Sequence, residues 1–334
     1  MLSRVRDHLG TFTRPQLGQL VIWVLIYIAL TKTNRALPVL VGERTSPVTI
    51  LSFLPEDFLT SWQVFTVCRW VLIVAGISWA LQLLLPLSCW LTVVSFTAVV
   101  ALFNENTSVI NHAFNLANIV LIIHAMWYHF HHRAIKESLT KGCFWRTRIY
   151  PNWVFYLSLF CIGIFHTYAG LSKLTESGLQ WANGVSLQLW LHLFGREDSF
   201  FKAWIVSNRH VAIALQGGTL VVETGAILAV FSRRLRVVIG VALLALYFGI
   251  IESFGYIFKY NALLVALFFL PVHTALDYIY RKAHQTTKIT VHIACGNLSR
   301  KVCHFVLSRL DIFGVTRGYC DAKTNTVEGK LTDR

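Results

Sequence analysis

Lys173 closes an otherwise apolar run, His166-Thr-Tyr-Ala-Gly-Leu-Ser-Lys173, and Trp181-Ala-Asn-Gly184 follows after a short polar break. An ammonium at the edge of a bilayer core is costly unless it snorkels to the interface, finds a partner or loses its proton. A lysine without its proton is a base, so Lys173 is either a general base or a helix-end anchor. His166, Ala169, Gly170 and Lys173 recur at i, i+3, i+4 and i+7 and share one helix face. The small residues between the two basic ones leave room for a ligand or for a close helix neighbour. Glu176, three residues on, would hold the ammonium if the two pair, whereas desolvation would favour the neutral amine that a base needs.

Other ionisable groups interrupt apolar segments. Asn111-His112 opens one, Glu223 stands inside another as Val-Val-Glu-Thr-Gly, and Glu252 closes a third. A carboxylate placed as Glu223 is must be protonated, hydrogen-bonded or paired with a base such as His166. His124, His129, His131 and His132 loosely resemble a histidine box of membrane di-iron enzymes. Such sites need several boxes converging on one metal pair. A single cluster reads as the polar end of a helix, and no metal is expected. No phosphate-binding loop, nucleophile elbow or zinc-protease helix is present in the sequence.

The elements that must position these residues are membrane helices. The chain has 334 residues, of which 55% are hydrophobic and 14% charged, the balance of a polytopic membrane protein. Apolar length predicts about eight spans, near residues 17–34, 64–85, 87–104, 110–129, 151–171, 211–231, 236–252 and 255–272. A shorter apolar stretch, 184–194, cannot cross and reads as an interfacial or re-entrant helix. Arg4, Arg6 and Arg14 precede the first span, with no cleavage site after it, so it reads as a span and not a signal peptide. Basic clusters at 133–148, 233–236 and 281–288 fall on the same side when both termini are cytoplasmic. The net charge of +14 is therefore read as positive-inside bias, and no nucleic-acid partner is expected. Eleven Trp and eleven Tyr supply interface belts. The cysteines show no paired framework, and Cys68, Cys89 and Cys161 sit in apolar runs as small hydrophobes.

This topology gathers Asn104, Glu105, Asn106, Asn111, His112, Lys173, Trp181, Arg209, His210, Glu252, Lys259 and Asn261 on the non-cytoplasmic side. Ionisable groups from separate spans at one depth constitute a site by expectation.

The block Tyr168-Ala-Gly-Leu-Ser-Lys173-Leu followed by Trp181-Ala-Asn-Gly184 resembles the signature of the horizontally transferred transmembrane (HTTM) family, which is vitamin K-dependent gamma-carboxylase-like. Asn111-His112, Gln216 to Glu223, and Ser253-Phe-Gly255 follow the family's other spans more weakly, and the resemblance covers roughly 15–275. It implies a membrane enzyme that couples oxygenation of a reduced quinone (vitamin K or menaquinol-like) to proton abstraction from a substrate, with carbon dioxide as a further reactant in carboxylation. Lys173 would be the base on the hydroquinone and His112 would hydrogen-bond the developing oxyanion. Asn111, His166, Tyr168, Gly170, Trp181, Gly184, Glu223 and Glu252 would line the substrate and cofactor site. Chain and family differ at Phe248, near a family histidine, and in having one lysine where the carboxylase has two. The carboxylase's large luminal substrate-binding domain has no counterpart in this sequence, which leaves a small molecule or a peptide open as substrate. The alternative is a non-enzymatic accessory or immunity membrane protein of the same fold, with Lys173 as anchor.

The expected division is a transmembrane domain, 1–275, and a short cytoplasmic α/β-like tail, 276–334. In the tail, 289–293 reads as a strand and 298–310 as a helix. Cys295-Gly-Asn-Leu298 resembles the start of a thiol-disulfide oxidoreductase domain with an Asp-Cys-Cys motif. Leu298 stands where the resolving cysteine belongs, so a degenerate remnant is expected.

Overall fold

A computed structural model describes residues 12–13, 15–32, 49, 51, 53–106, 114–140, 150–255, 258–272, 274–275, 278, 318–320 and 327–329. The described chain is mainly helical. Strand β1 (Phe12–Thr13) leads into α1 (Pro15–Thr31), α2 (Glu56–Leu59), α3 (Trp62–Ala80), α4 (Leu87–Glu105) and α5 (Asn115–Thr140). Strand β2 (Tyr150–Pro151) opens onto α6 (Asn152–Ser177), then come α7 (Val185–Phe194), α8 (Phe200–Ser207), α9 (Arg209–Thr224), α10 (Arg233–Phe254) and α11 (Lys259–Phe269). Short 3-10 turns, Gly178–Ala182 and Ala226–Val230, follow α6 and α9, and a small hairpin is formed by β3 (Gly318–Cys320) and β4 (Val327–Gly329).

Among the described residues, four helical stretches are long and apolar enough to cross a membrane: Trp62–Ala80, Leu87–Glu105, Asn152–Ala182 and Arg233–Phe254. They carry apolar residues nearly all round, as helices surrounded by lipid or protein do. Their ends are set by local chemistry. Ser61 Oγ accepts the Val64 N–H and Ser232 Oγ accepts the Leu235 N–H, capping α3 and α10. Helix α10 stops at Gly255, whose φ of 71° is the left-handed conformation that favours glycine.

The chain divides into two compact units. The first comprises Met1–Ile110, Leu121–Val154 and Val272–Arg334. There β1 pairs antiparallel with β2, setting Phe12 opposite Pro151 and Thr13 opposite Tyr150. Helix α3 packs on α4 and α1. The core holds satisfied polar groups: Gln82 Nε2 donates to Gln19 Oε1 at 2.8 Å and to Tyr128 Oη at 3.3 Å, and His124 Nε2 lies 3.0 Å from Tyr150 Oη. The histidine cluster therefore diverges. His124 turns into the core, His129 meets Trp90 Nε1 at 3.3 Å, and His131 and His132 bond carbonyls of their own helix. An apolar groove of about 370 Å³ between α3 and α4, lined by Trp70, Val74, Leu84, Leu87 and Leu91 among others, contains none of the candidate residues.

The second unit comprises Asn111–Val120 and Phe155–Pro271. Helix α10 packs closely on α11, where a Cβ on Gly240 would lie 2.5 Å from Phe269 Cβ. The buried Arg236 lays its guanidinium 5.4 Å from the Phe155 ring centroid.

The span expected at 211–231 is broken: α9 stops at Thr224 and resumes after Gly225 as a 3-10 turn. The expected single helix from 64 to 85 ends at Ala80. Helix α8 was not legible in the sequence. The expected tail elements at 289–293 and 298–310, with Cys295, lie outside the described residues.

Candidate functional site

Asn104, Glu105 and Asn106 belong to the first unit, whereas Lys173, His166, Tyr168, Gly170, Trp181, Gly184, Glu223 and Glu252 all belong to the second. Their focus is a close crossing of α6 on the end of α9. Gly170 makes it: a Cβ there would lie 2.7 Å from the Thr224 backbone nitrogen and 3.0 Å from Glu223 Cβ. Bringing the backbones together at Gly170 sets the side chains on either side of it in contact. Lys173 Nζ donates to Glu223 Oε2 in a direct ion pair. The Lys173 side chain is 26% exposed and that of Glu223 10%. The Trp181 ring covers the ammonium, its centroid 5.0 Å from Nζ, within cation–π range. Glu223 lies in the last turn of α9, so the partial negative charge of that helix end also faces Lys173.

The break after Thr224 frees backbone groups that an apolar setting cannot leave unpaired. Thr167, one turn before Gly170, supplies the partner. Its Oγ1 donates to the Thr224 carbonyl at 3.2 Å and accepts the Ile227 N–H at 3.0 Å. A polar side chain of α6 thus bridges the discontinuity that ends α9 beside the ion pair.

A second polar pair lies deeper. The Tyr247 hydroxyl of α10 and His166 Nε2 of α6 are 3.2 Å apart, with both residues buried. Asn261 of α11 hydrogen-bonds Tyr247. Asn261 Oδ1 is buried and finds no hydrogen-bond partner among the described residues.

Gln216 of α9 holds the turn that carries Trp181. Its Oε1 accepts the Gly184 N–H at 2.7 Å, and its Nε2 donates to the Trp181 carbonyl and to Ser186 Oγ, each at 2.8 Å. Gly184 is required at this position: its φ is 83°, and a Cβ would lie 3.0 Å from the Arg209 carbonyl oxygen. Replacing Gln216 with Leu should leave the Gly184 N–H and the Trp181 carbonyl unpaired in a buried site. The expected cost is about 1–3 kcal/mol, read as a lower melting temperature of the detergent-purified protein.

The structure brings together Lys173, Glu223 and Trp181, and beside them His166 with Tyr247. It separates other candidates from this focus. Glu176 is exposed and is not the partner of Lys173; Glu223 takes that place because Gly170 admits α9 so closely. By the same contact Glu223 is paired with Lys173 and not with His166. Glu252 is occupied elsewhere: it accepts from Ser199 Oγ at 2.7 Å and from the Phe200 N–H at 3.0 Å, holding the start of α8. Tyr168 is 74% exposed, on the outward side of α6. Asn111 and His112 lie outside the described residues. No family model matches this chain, and neither does any curated protein or solved structure.

Sequence reasoning missed Tyr247 and the bridging role of Thr167. Neither stands out, because Tyr and Thr are ordinary in apolar helices. Gln216 and Asn261 did carry a signal, since an amide in an apolar span needs partners.

The arrangement can hold and transfer a proton between Lys173 Nζ and Glu223 Oε2 under an aromatic cover. It can also fasten α6 to α9. The first use is chemical and the second is structural.

Proposed function

We propose that this chain is a multi-pass cell-membrane protein of about eight spans with cytoplasmic termini, and that its second unit carries acid–base chemistry on a reduced quinone, as the HTTM (carboxylase-like) resemblance implies. The observation that carries the reading is the placement of Lys173. Its ammonium is held against Glu223 beneath the Trp181 ring, at the close crossing of α6 on α9. The paired carboxylate favours the ammonium, so the base forms only when that proton passes to Glu223; Lys173 is then a free amine, able to accept a proton from an acidic hydroxyl and to face the resulting anion as an ammonium. Asn261 Oδ1, a buried acceptor lacking a partner among the described residues, fits a ligand that donates an O–H. A reduced quinone would supply that hydroxyl and, with oxygen, the epoxidising chemistry, with carbon dioxide added in a carboxylase (lyase) reaction. His112 belongs to the proposal as the further oxyanion partner.

The test uses the full-length protein in liposomes supplied with menaquinol and oxygen, with epoxide measured by mass spectrometry. Wild-type protein should form epoxide and Lys173→Ala should fall to the protein-free level. Epoxide formation unchanged in Lys173→Ala would overturn the assignment.

A second reading is favoured by the ion pair itself: Lys173–Glu223 as a lock between α6 and α9 in a non-enzymatic accessory or immunity protein. Lys173→Arg separates the two. Arginine can keep the ion pair but stays protonated, so the lock predicts an unchanged melting temperature and unchanged function, and the base predicts unchanged melting with epoxide formation lost.

A further inference from the structure

Helices α7 and α8 form a hairpin that buries one apolar face and leaves another uncovered. On the inside, Leu187 and Leu191 of α7 and Phe201 and Ile205 of α8 pack with Val211 and Ala212 of α9 and Phe254 of α10. Gln188 Nε2 closes the pair by donating to the Ile205 and Val206 carbonyls at 3.1 and 3.0 Å. On the outside, Leu189, Trp190, Leu193 and Phe194 of α7 and Phe200 and Trp204 of α8 are 47–75% exposed. Trp190 and Phe194 sit together there, ring centroids 5.0 Å apart. So many exposed apolar side chains on one short hairpin are not stable against water and need an occupant.

The fold indicates which one. The hairpin follows the C-terminal end of α6, precedes the N-terminal end of α9 and packs on the C-terminal end of α10. Two of these belong to stretches long enough to cross a membrane, so the hairpin lies where membrane helices end. With 10 and 8 residues its helices are too short to cross. The loop between them is charged. Arg196 pairs with Asp198 and Lys202 with Glu197, and these hydrogen bonds hold both carboxyls below their usual range. Apolar aromatic faces beside a charged loop match the boundary between acyl chains and headgroups.

We infer that α7 and α8 form an amphipathic hairpin lying in the plane of the bilayer interface, with Trp190, Phe194, Phe200 and Trp204 seated at the headgroup–acyl boundary. The inference rests on the membrane-spanning part of the proposed function and not on its chemistry. It also gives Trp181 a fixed address, because Gln216 binds the start of α7 and the Trp181 turn together.

The experiment places the full-length protein in phosphatidylcholine vesicles brominated either at the shallow 6,7 or at the deep 11,12 acyl positions, and compares wild type with Trp190→Phe/Trp204→Phe. Both substitutions are conservative changes at exposed positions. The emission lost in the double variant should be the fraction quenched more by the shallow than by the deep bromines, and little quenched by aqueous iodide. Greater deep quenching would mean a re-entrant helix and would overturn the inference. Quenching by iodide alone, or by neither agent, would mean water or protein on that face and would also overturn it. Trp70, 64% exposed in the middle of α3, serves as the control. If the emission removed by Trp70→Phe is itself insensitive to the deep bromines, the membrane reading fails, and the inference fails with it. If that emission is deeply quenched while the Trp190/Trp204 fraction is not shallowly quenched, the hairpin inference fails alone.

Discussion

Glu223→Ala is expected to destabilise the protein by about 3 kcal/mol, the lower end of the ~3–5 kcal/mol that follows from removing one member of a buried ion pair. The value is set low because Lys173 keeps a quarter of its side chain exposed and can recover part of its hydration when left alone. Lys173→Ala should cost as much or more, because the carboxylate it abandons is only 10% exposed and ends a helix whose own dipole repels negative charge. The double variant Lys173→Ala/Glu223→Ala should be more stable than the sum of the two losses implies, since it leaves no unpaired charge. The cycle is read as melting temperature or denaturant midpoint in detergent. Additive losses would show that the two charges do not depend on one another, and the contact would then carry neither a lock nor a shared proton. Glu223→Gln adds a chemical readout. The amide can still accept a hydrogen bond from Lys173 but cannot take its proton, so epoxide formation should fall much further than stability does.

The same pair shows what the sequence made legible and what it did not. Lys173 was conspicuous because a cation ends an apolar run, and Glu223 because a carboxylate interrupts one. Their pairing was not, because the residues are fifty apart and the contact depends on a glycine on one helix meeting a backbone nitrogen on another. The near neighbour Glu176 offered itself instead on spacing alone. Helix positions were readable wherever apolar length sets them, as in α4, expected at 87–104 and found at Leu87–Glu105. The break after Thr224 was not readable, because Val-Val-Glu-Thr-Gly-Ala-Ile-Leu is apolar on both sides of Gly225 and the bridging Thr167 comes from another helix. Helix α8 was hidden for a different reason: eight residues between Ser199 and Asn208 are too few to show a period, and both of its ends are set by local caps. Glu252 shows the limit of reading by depth: it is expected at the level of the other ionisable groups on the non-cytoplasmic side, and which partners its two oxygens take, in the first turn of that same short helix, is visible only in the structure.

Gly170→Leu is expected to have an effect of comparable size, by a route that involves no charge. Alanine at this position would gain about 0.5–1 kcal/mol from helix propensity. Against that, its Cβ would stand 2.7 Å from the Thr224 nitrogen and 2.8 Å from Thr224 Cγ2, and the first of these is backbone that cannot rotate away. Overpacking of this kind costs about 1–3 kcal/mol, so Gly170→Ala should already be net destabilising. Leucine adds three further carbons to the same gap and can be accommodated only if α6 and α9 move apart. Gly218→Ala on α9 is the matched control, because nothing lies within 4 Å of its added methyl and the propensity gain should appear undiminished. Separating the helices must also part Lys173 from Glu223 and strip Thr167 from the broken end of α9. The decisive measurement is therefore the ion-pair cycle repeated in the Gly170→Leu background: the coupling between Lys173 and Glu223 should largely vanish. If full coupling survives there, the close approach at Gly170 does not create the pair, and the ion pair must be able to form across a wider gap than the structure shows.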